Sequence, residues 1–139
     1  MYKKILLAYD GSEHSKRAAE NAIQIAKCSS DSTVEIVYVV DANKAKNDVL
    51  SNWNTMNLEE KRKELLTGVT KKATDEGVKY SIKILQGEAG PSIIKYANDN
   101  DFNIVIIGSR GLDGIQEFVL GSVSHKVAKR VNCPVLIVK

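Results

Sequence analysis

The chain has 139 residues, the usual size of one folded domain, so we expect a single domain over residues 1–139. Its 20 basic and 17 acidic residues are mixed along the chain and give a net charge of only +3, which argues against nucleic-acid binding through a basic stripe. No apolar run has the length of a membrane span, so we expect a cytoplasmic protein without membrane association, with Cys28 and Cys133 as reduced thiols.

The first half of the chain alternates strand and helix patterns. Residues 3–9 are centred on Ile5-Leu6-Leu7-Ala8, which is apolar on both faces, as in a strand buried inside a parallel sheet. A helical face follows from Ala18 to Ala26, and Thr33–Val40 is a β-branched strand. Residues 41–57 are polar and aperiodic and predict a long loop, in which Trp53 and Met56 either pack over the sheet edge or cover a ligand.

The second half continues the alternation. A helical face runs from Leu58 to Ala73 and is stopped by Gly77. Residues 78–84 alternate apolar and polar, as in a half-exposed strand, and Pro91 starts a third helix. Residues 104–107 form another doubly apolar strand, and a last helix precedes the strand at residues 135–138.

This order predicts an α/β fold with an open five-stranded parallel sheet and helices on both faces. The first and fourth strands are the most apolar and belong at the centre, whereas the alternating third strand belongs at an edge. The order 3-2-1-4-5 fits these requirements. Its switch point lies between strands 1 and 4, where ligands of such sheets bind beyond the carboxyl ends of the strands.

Glycines cluster at this predicted switch point. Strand 4 runs into Gly108-Ser109-Arg110-Gly111, and Gly121-Ser122 opens the last helix. Glycines give an anion access to backbone N–H groups, and a helix N-terminus adds donors and a positive dipole end. These residues therefore predict phosphate or nucleotide binding, although each glycine alone is also explained as a turn residue. Asp10, at the end of strand 1, is placed to accept hydrogen bonds from ribose hydroxyls.

The same residues resemble the universal stress protein family in its ATP-binding branch. That branch carries G-x2-G-x9-G-[ST], which here reads Gly108, Gly111, Gly121, Ser122 with the spacing intact. The opening Ala8-Tyr9-Asp10-Gly11-Ser12 and the closing Cys133-Pro134-Val135 also look like family signatures, so the resemblance spans the whole chain. It implies a Rossmann-like sheet of the adenine nucleotide alpha hydrolase-like class, bound ATP and a homodimer.

The resemblance also implies a set of site residues. The adenine and ribose would lie against the ends of the first two strands, and ribose and phosphates against the glycine loop. The implied residues are Ala8, Tyr9, Asp10, Val39, Val40, Gly108, Arg110, Gly111, Gly121, Ser122 and Val123. The ligand would be ATP, or AMP or ADP, with Mg²⁺ accompanying the phosphates. Ala8 departs from the proline of several ATP-binding members.

Two functions follow, a nucleotide-dependent binding or signalling module and, as the alternative, a slow ATPase. The module is favoured because phosphoryl transfer needs a group to position water, and the sequence offers no evident second acid or base. His125 lies near Ser122 without an orienting acid, so we expect a surface histidine and no catalytic residue. His14, in the first turn after the Asp10 loop, could approach the nucleotide, but we expect it to face solvent. Arg110 stays open between phosphate contact and solvation.

The fifth strand predicts a homodimer. Val135–Val138 is apolar on both faces and lacks the charges that protect an exposed sheet edge. Identical edges paired about a two-fold axis would satisfy each other's backbone groups.

Overall fold

Five parallel strands form one sheet in the order β3-β2-β1-β4-β5, as the sequence predicts. The computed structural model describes residues 2–40, 55–110 and 121–139, apart from the side chains of residues 55–59 and 61. The strands are β1 (Lys4–Ala8), β2 (Thr33–Val40), β3 (Lys79–Gln86), β4 (Ile104–Gly108) and β5 (Val135–Val138). The helices are α1 (Glu13–Ala26), α2 (Thr55–Asp75), α3 (Ala89–Asp99) and α4 (Ser122–Arg130).

The two central strands are buried on both faces. In β1, Ile5 and Leu7 pack into the core beneath α1 and α2, whereas Leu6 and Ala8 pack into the core beneath α3 and α4. The register pairs Leu7 of β1 with Ile106 of β4. Because the side chains of residues 5–8 and 104–107 all enter one core or the other, an apolar run without alternation is what the position requires.

The boundaries of two helices differ from the sequence prediction. α2 begins at Thr55, inside the segment predicted as loop, and α3 begins at Ala89, two residues before Pro91. Both early turns lack the apolar periodicity that marks a helix in sequence, which explains the misplaced starts. In the described part of the chain, no helix is long and apolar enough to cross a membrane.

The apolar side chains of the edge strand β3 are more exposed than expected. Val78 is buried just before the strand begins, but Tyr80, Ile82 and Ile84 are 38%, 44% and 38% exposed. The alternation predicts a half-exposed strand, but β3 is exposed along nearly its whole length, so that prediction is wrong beyond Val78. The buried residues of α2, namely Leu66, Val69 and Ala73, belong to the core cluster that includes Val78 but not the three later side chains.

Candidate functional site

The chain leaves β1 and β4 toward opposite faces of the sheet. The two strands are neighbours at the centre of the sheet. After β1 the chain enters α1 on one face, whereas after β4 it leads to α4 on the other face. The strand order therefore reverses direction between β1 and β4. The carboxyl ends of these two strands form the switch point, which is where ligands of parallel sheets bind.

The turn after β1 places Asp10 at this end of the sheet. The Asp10 carboxylate accepts a hydrogen bond from the Ser12 backbone N–H at 2.9 Å, and Gly11 between them has φ +84°. Ser12 then caps α1, since its hydroxyl oxygen accepts from the Ser15 N–H at 3.2 Å. The turn therefore holds the half-buried Asp10 side chain at the end of β1 while starting the helix.

The glycine loop is closed at its base by hydrogen bonds to a single carbonyl. The Ser109 carbonyl accepts from the Gly121 N–H and from the Ser124 hydroxyl, both at 2.8 Å. Gly121 is the N-cap of α4, and no side chain caps this helix within the described residues. An added Cβ on Gly121 would lie 3.3 Å from that carbonyl oxygen and 3.4 Å from Arg110 Cα. The α4 N-terminus therefore stands directly beside the end of β4.

The first turn of α1 packs against the end of β4. An added Cβ on Gly108 would lie only 2.8 Å from the backbone carbonyl carbon of His14. The His14 ring contacts both residues that follow this glycine, with Nδ1 3.0 Å from Ser109 Oγ and Nε2 3.0 Å from Arg110 Nη2. The expectation of a solvent-facing His14 is wrong, since the ring is half-buried between these partners. The contact spans 95 residues of sequence, so no local pattern signals it.

The residues expected near an adenine ring lie at the ends of β1 and β2. Ala8 and Tyr9 are buried, with their side chains in opposite cores, so it is their backbones that continue to the end of the sheet. The Tyr9 N–H donates to the Val37 carbonyl at 3.0 Å, and the Gly87 N–H donates to the Val40 carbonyl at 2.9 Å. Strand groups alternate in direction, so the Val39 backbone points toward the side of β1, beyond that strand's last residue.

Tyr9 also borders a cleft of about 400 Å³ on the α1 and α2 face, lined with Lys16, Glu64, Leu65 and Gly68. Burial, followed by the negative charges of Asp10 and Glu13, raises the pKa of the Tyr9 phenol above its ordinary value. Tyr9 is therefore a neutral core residue at physiological pH, and its hydroxyl stays protonated.

The remaining predicted residues divide into two groups. Ser122 and Val123 form the first turn of α4, where Ser122 is exposed and Val123 half-buried, and His125 is exposed on the same helix. Gly111 and Trp53 lie outside the described residues, as does the Met56 side chain.

In the described segments, no group of three or more His, Cys, Asp or Glu side chains could hold a metal ion.

Comparison with known proteins identifies the family. The model of the universal stress protein family matches residues 1–139. Universal stress protein MJ0531 of Methanocaldococcus jannaschii is 36% identical over 142 residues, covering 100% of this chain and 83% of the relative. The solved hypothetical protein MJ0577 superposes with a TM-score of 0.87 at 33% identity, covering 100% of this chain and 96% of that one.

More distant solved structures share the fold. A universal stress protein in complex with cAMP has a TM-score of 0.72 at 24% identity, covering 99% of this chain and 97% of that one. A family member from Arabidopsis thaliana with AMP bound has a TM-score of 0.70 at 21% identity, covering 99% and 91%. The full-length family match, the strand order and the intact glycine spacing agree, and the chain belongs to the universal stress protein family.

Proposed function

We propose that this protein binds an adenine nucleotide, ATP or its products ADP and AMP, at the carboxyl ends of β1 and β4. In this proposal nucleotide occupancy sets the conformation or the partners of a cytoplasmic stress-response module. Two solved proteins with the same fold carry AMP and cAMP, which are both adenine nucleotides. The family relationship and the intact glycine spacing support the same ligand class for this chain.

The observation that supports this proposal most strongly is that groups able to bind an anion lie at the switch point. The uncapped N-terminus of α4 lies beside the end of β4, with the Arg110 guanidinium on the adjoining loop residue. Helix N-terminal N–H groups and a guanidinium both favour phosphate. Ser122 adds a hydroxyl in the first turn. Gly121 keeps this approach open, since a larger residue would place its side chain between the helix end and the loop.

The nucleoside end of the ligand fits the ends of the first two strands. Asp10 has carboxylate oxygens that can accept from ribose hydroxyls, and the Val39 backbone points beyond the end of β1, where an adenine edge can pair with it. Ala8 and Tyr9 complete this wall with their backbones. Mg²⁺ in this proposal accompanies the phosphates and is coordinated mainly by their oxygens.

Mass spectrometry of small molecules released from gently denatured protein, together with calorimetric titration of ATP, tests the proposal. We expect an adenine nucleotide in the released fraction and saturable ATP binding. Gly121→Val should abolish ATP binding while the protein stays folded, because φ −60° and ψ 155° at this position suit a β-branched residue. Gly68→Val is the matched control, since its added Cβ has nothing within 4 Å. Wild-type affinity in Gly121→Val would remove the glycine loop from the site.

Hydrolysis of the bound nucleotide is the weaker alternative. Arginine only donates hydrogen bonds, so the Arg110 contact makes His14 Nε2 an acceptor and leaves the proton on Nδ1. His14 then donates to Ser109 and cannot accept the Ser109 proton as a general base would. Single-turnover hydrolysis with and without magnesium tests the alternative, and we expect a rate no faster than that in solution.

We also propose that the protein forms a homodimer through β5. This strand is at one edge of the sheet, and its four side chains are half-buried apolar groups. The opposite edge strand, β3, carries Lys79 and Lys83, the kind of charges that discourage edge pairing. The contrast between the two edges favours β5 as the surface for a second copy.

A further inference from the structure

His14 joins three parts of the candidate site that are distant in sequence. Its ring stands on the first turn of α1 and contacts Ser109 through Nδ1 and Arg110 through Nε2, each at 3.0 Å. Ser109 in turn receives the Gly121 N–H and the Ser124 hydroxyl on its carbonyl. The ring therefore connects α1 to the end of β4 and, through one residue, to the N-terminus of α4.

The two contacts determine which ring nitrogen carries the proton. A guanidinium has five N–H donors and no acceptor, so His14 Nε2 must accept from Arg110. A neutral imidazole then carries its proton on Nδ1 and donates it to Ser109 Oγ. Both contacts can exist together only in this neutral tautomer. The ring thus acts as an acceptor that holds the guanidinium and as a donor that fixes its own orientation.

Arg110 is held at both ends by this arrangement. Its Cα lies 3.4 Å from the position of an added Cβ on Gly121, so its backbone lies against the start of α4. Its guanidinium is fixed by His14 on α1. A free arginine side chain loses rotamer entropy when it binds an anion. A side chain that is already ordered binds with a smaller entropic cost, which is the advantage of preorganisation.

We propose that His14 is a positioning residue that holds Arg110 at the phosphate end of the nucleotide site and thereby makes the site selective for phosphorylated ligands over adenosine. This inference rests on the proposed nucleotide-binding function and adds to it the residue that orders the phosphate-binding cation. His14 itself does not contact the ligand in this proposal. Its effect passes through Arg110, which distinguishes it from a residue that merely stabilises the fold.

The test compares two substitutions of His14. His14→Leu removes the acceptor, and we expect ATP affinity measured by calorimetry to fall about three- to tenfold, the scale of one hydrogen bond. His14→Gln places an amide oxygen that can accept from Arg110, and we expect it to restore most of that loss. Binding of adenosine, followed by chemical-shift titration, should change less than twofold in both variants. An equal loss for ATP and adenosine would overturn the inference in favour of a structural role.

A double-mutant cycle with Arg110→Gln supplies the second measurement. We expect His14→Leu to have no further effect on ATP affinity in the Arg110→Gln background, because the cation it positions is gone. Additive losses would overturn the inference. A third measurement needs no ligand: the ¹⁵N spectrum of the His14 ring should show the Nδ1–H tautomer, and an Nε2–H tautomer would contradict the Arg110 contact.

These outcomes separate the inference from the proposed function. Wild-type protein that binds no adenine nucleotide overturns both. Wild-type protein that binds ATP, with His14→Leu unchanged in affinity, overturns the positioning role alone.

Discussion

Gly108 illustrates how a residue predicted for ligand access has a packing reason in the structure. The sequence motif predicts that this glycine lets the loop approach ribose and phosphates. The structure adds that its missing Cβ makes room for the backbone of His14, 2.8 Å from where that atom would lie. The two roles are compatible, because the packing brings His14 and the α1 N-terminus to the site. The role in binding stays a prediction.

Gly108→Ala should therefore destabilise the fold itself. The added methyl group meets the His14 backbone and Cβ, which cannot move away like the end of a flexible side chain. We expect the free energy of unfolding in urea to fall by about 1–3 kcal/mol, the usual range for overpacking. Gly68→Ala is the control and should raise it by about 0.5–1 kcal/mol, since this α2 position has open space around it. Unchanged stability in Gly108→Ala would show that α1 has room to shift.

Asp10→Ala should weaken ATP binding by about 1–3 kcal/mol, the scale of hydrogen bonds to a charged group. The effect should be much smaller for a 2′,3′-dideoxy analogue, which lacks the ribose hydroxyls. Asp10 also accepts from the Ser12 N–H, so its loss affects the start of α1 for either ligand. The difference between the two ligands in calorimetry isolates the ribose contact, and equal losses would show that Asp10 does not bind the ribose.

At the scale of elements, the structure confirms the five strands that the sequence predicts, together with their order in the sheet. The sequence patterns of β1 and β4 were sufficient to predict their central position, because a strand buried on both faces is a continuous apolar run. The exposure of the apolar stripe of β3 was not predictable in the same way. Alternation in Tyr80, Ile82 and Ile84 indicates a strand, but whether a helix covers that face depends on where α2 lies. Tertiary placement of this kind has no local signature.

A hydrogen bond with a measurable pH dependence joins α3 to β2. The Tyr96 hydroxyl of α3 donates to the Glu35 carboxylate of β2. Burial, followed by the hydrogen bond and charge of Glu35, raises the pKa of Tyr96 to about 12. The folded-state pKa exceeds the ordinary value of about 10, so the contribution to stability is fully present below pH 10 and is lost as the pH rises toward 12.

Tyr96→Phe should lower the free energy of unfolding by about 1 kcal/mol at pH 8, the net value of a typical hydrogen bond. The difference from wild type should shrink between pH 10 and pH 12, where the wild-type phenol ionises on unfolding. Tyr9 also has a raised pKa but is present in both proteins, so subtraction removes its contribution. Urea titrations across this range measure the effect, and a difference that does not vary with pH would contradict the assigned titration.

For the whole molecule, the sequence predicts the strand order and its switch point better than it predicts the contacts within the candidate site, and ligand binding there stays a prediction. The switch point follows from the strand order, and the glycine spacing marks the loop there. The contacts of His14 with Ser109 and Arg110 follow from how α1 crosses the end of β4, which no spacing in the sequence encodes. Residues 95 and 96 positions apart become neighbours only through the topology.

The proposed homodimer depends on which backbone groups β5 directs outward. The Pro134 carbonyl accepts from the Val105 N–H of β4, and the Val138 carbonyl accepts from the N–H of Ser109, which directly follows β4. Because strand groups alternate in direction, Leu136 also faces β4, whereas Val135 and Ile137 direct their N–H and C=O groups away from the sheet. A second copy of β5 would pair with those outward groups about a two-fold axis.

Ile137→Pro should therefore convert the dimer to a monomer, because it removes an outward N–H and leaves the ladder with β4 intact. Proline at Leu136 would instead break that internal ladder and destabilise the fold. Ile137→Ala is the matched control, since it loses the same side-chain packing but keeps the N–H, and it should remain dimeric. Light scattering at micromolar concentration distinguishes the three proteins. A monomeric wild type would contradict the dimer, and a dimeric Ile137→Pro would assign the interface to another surface.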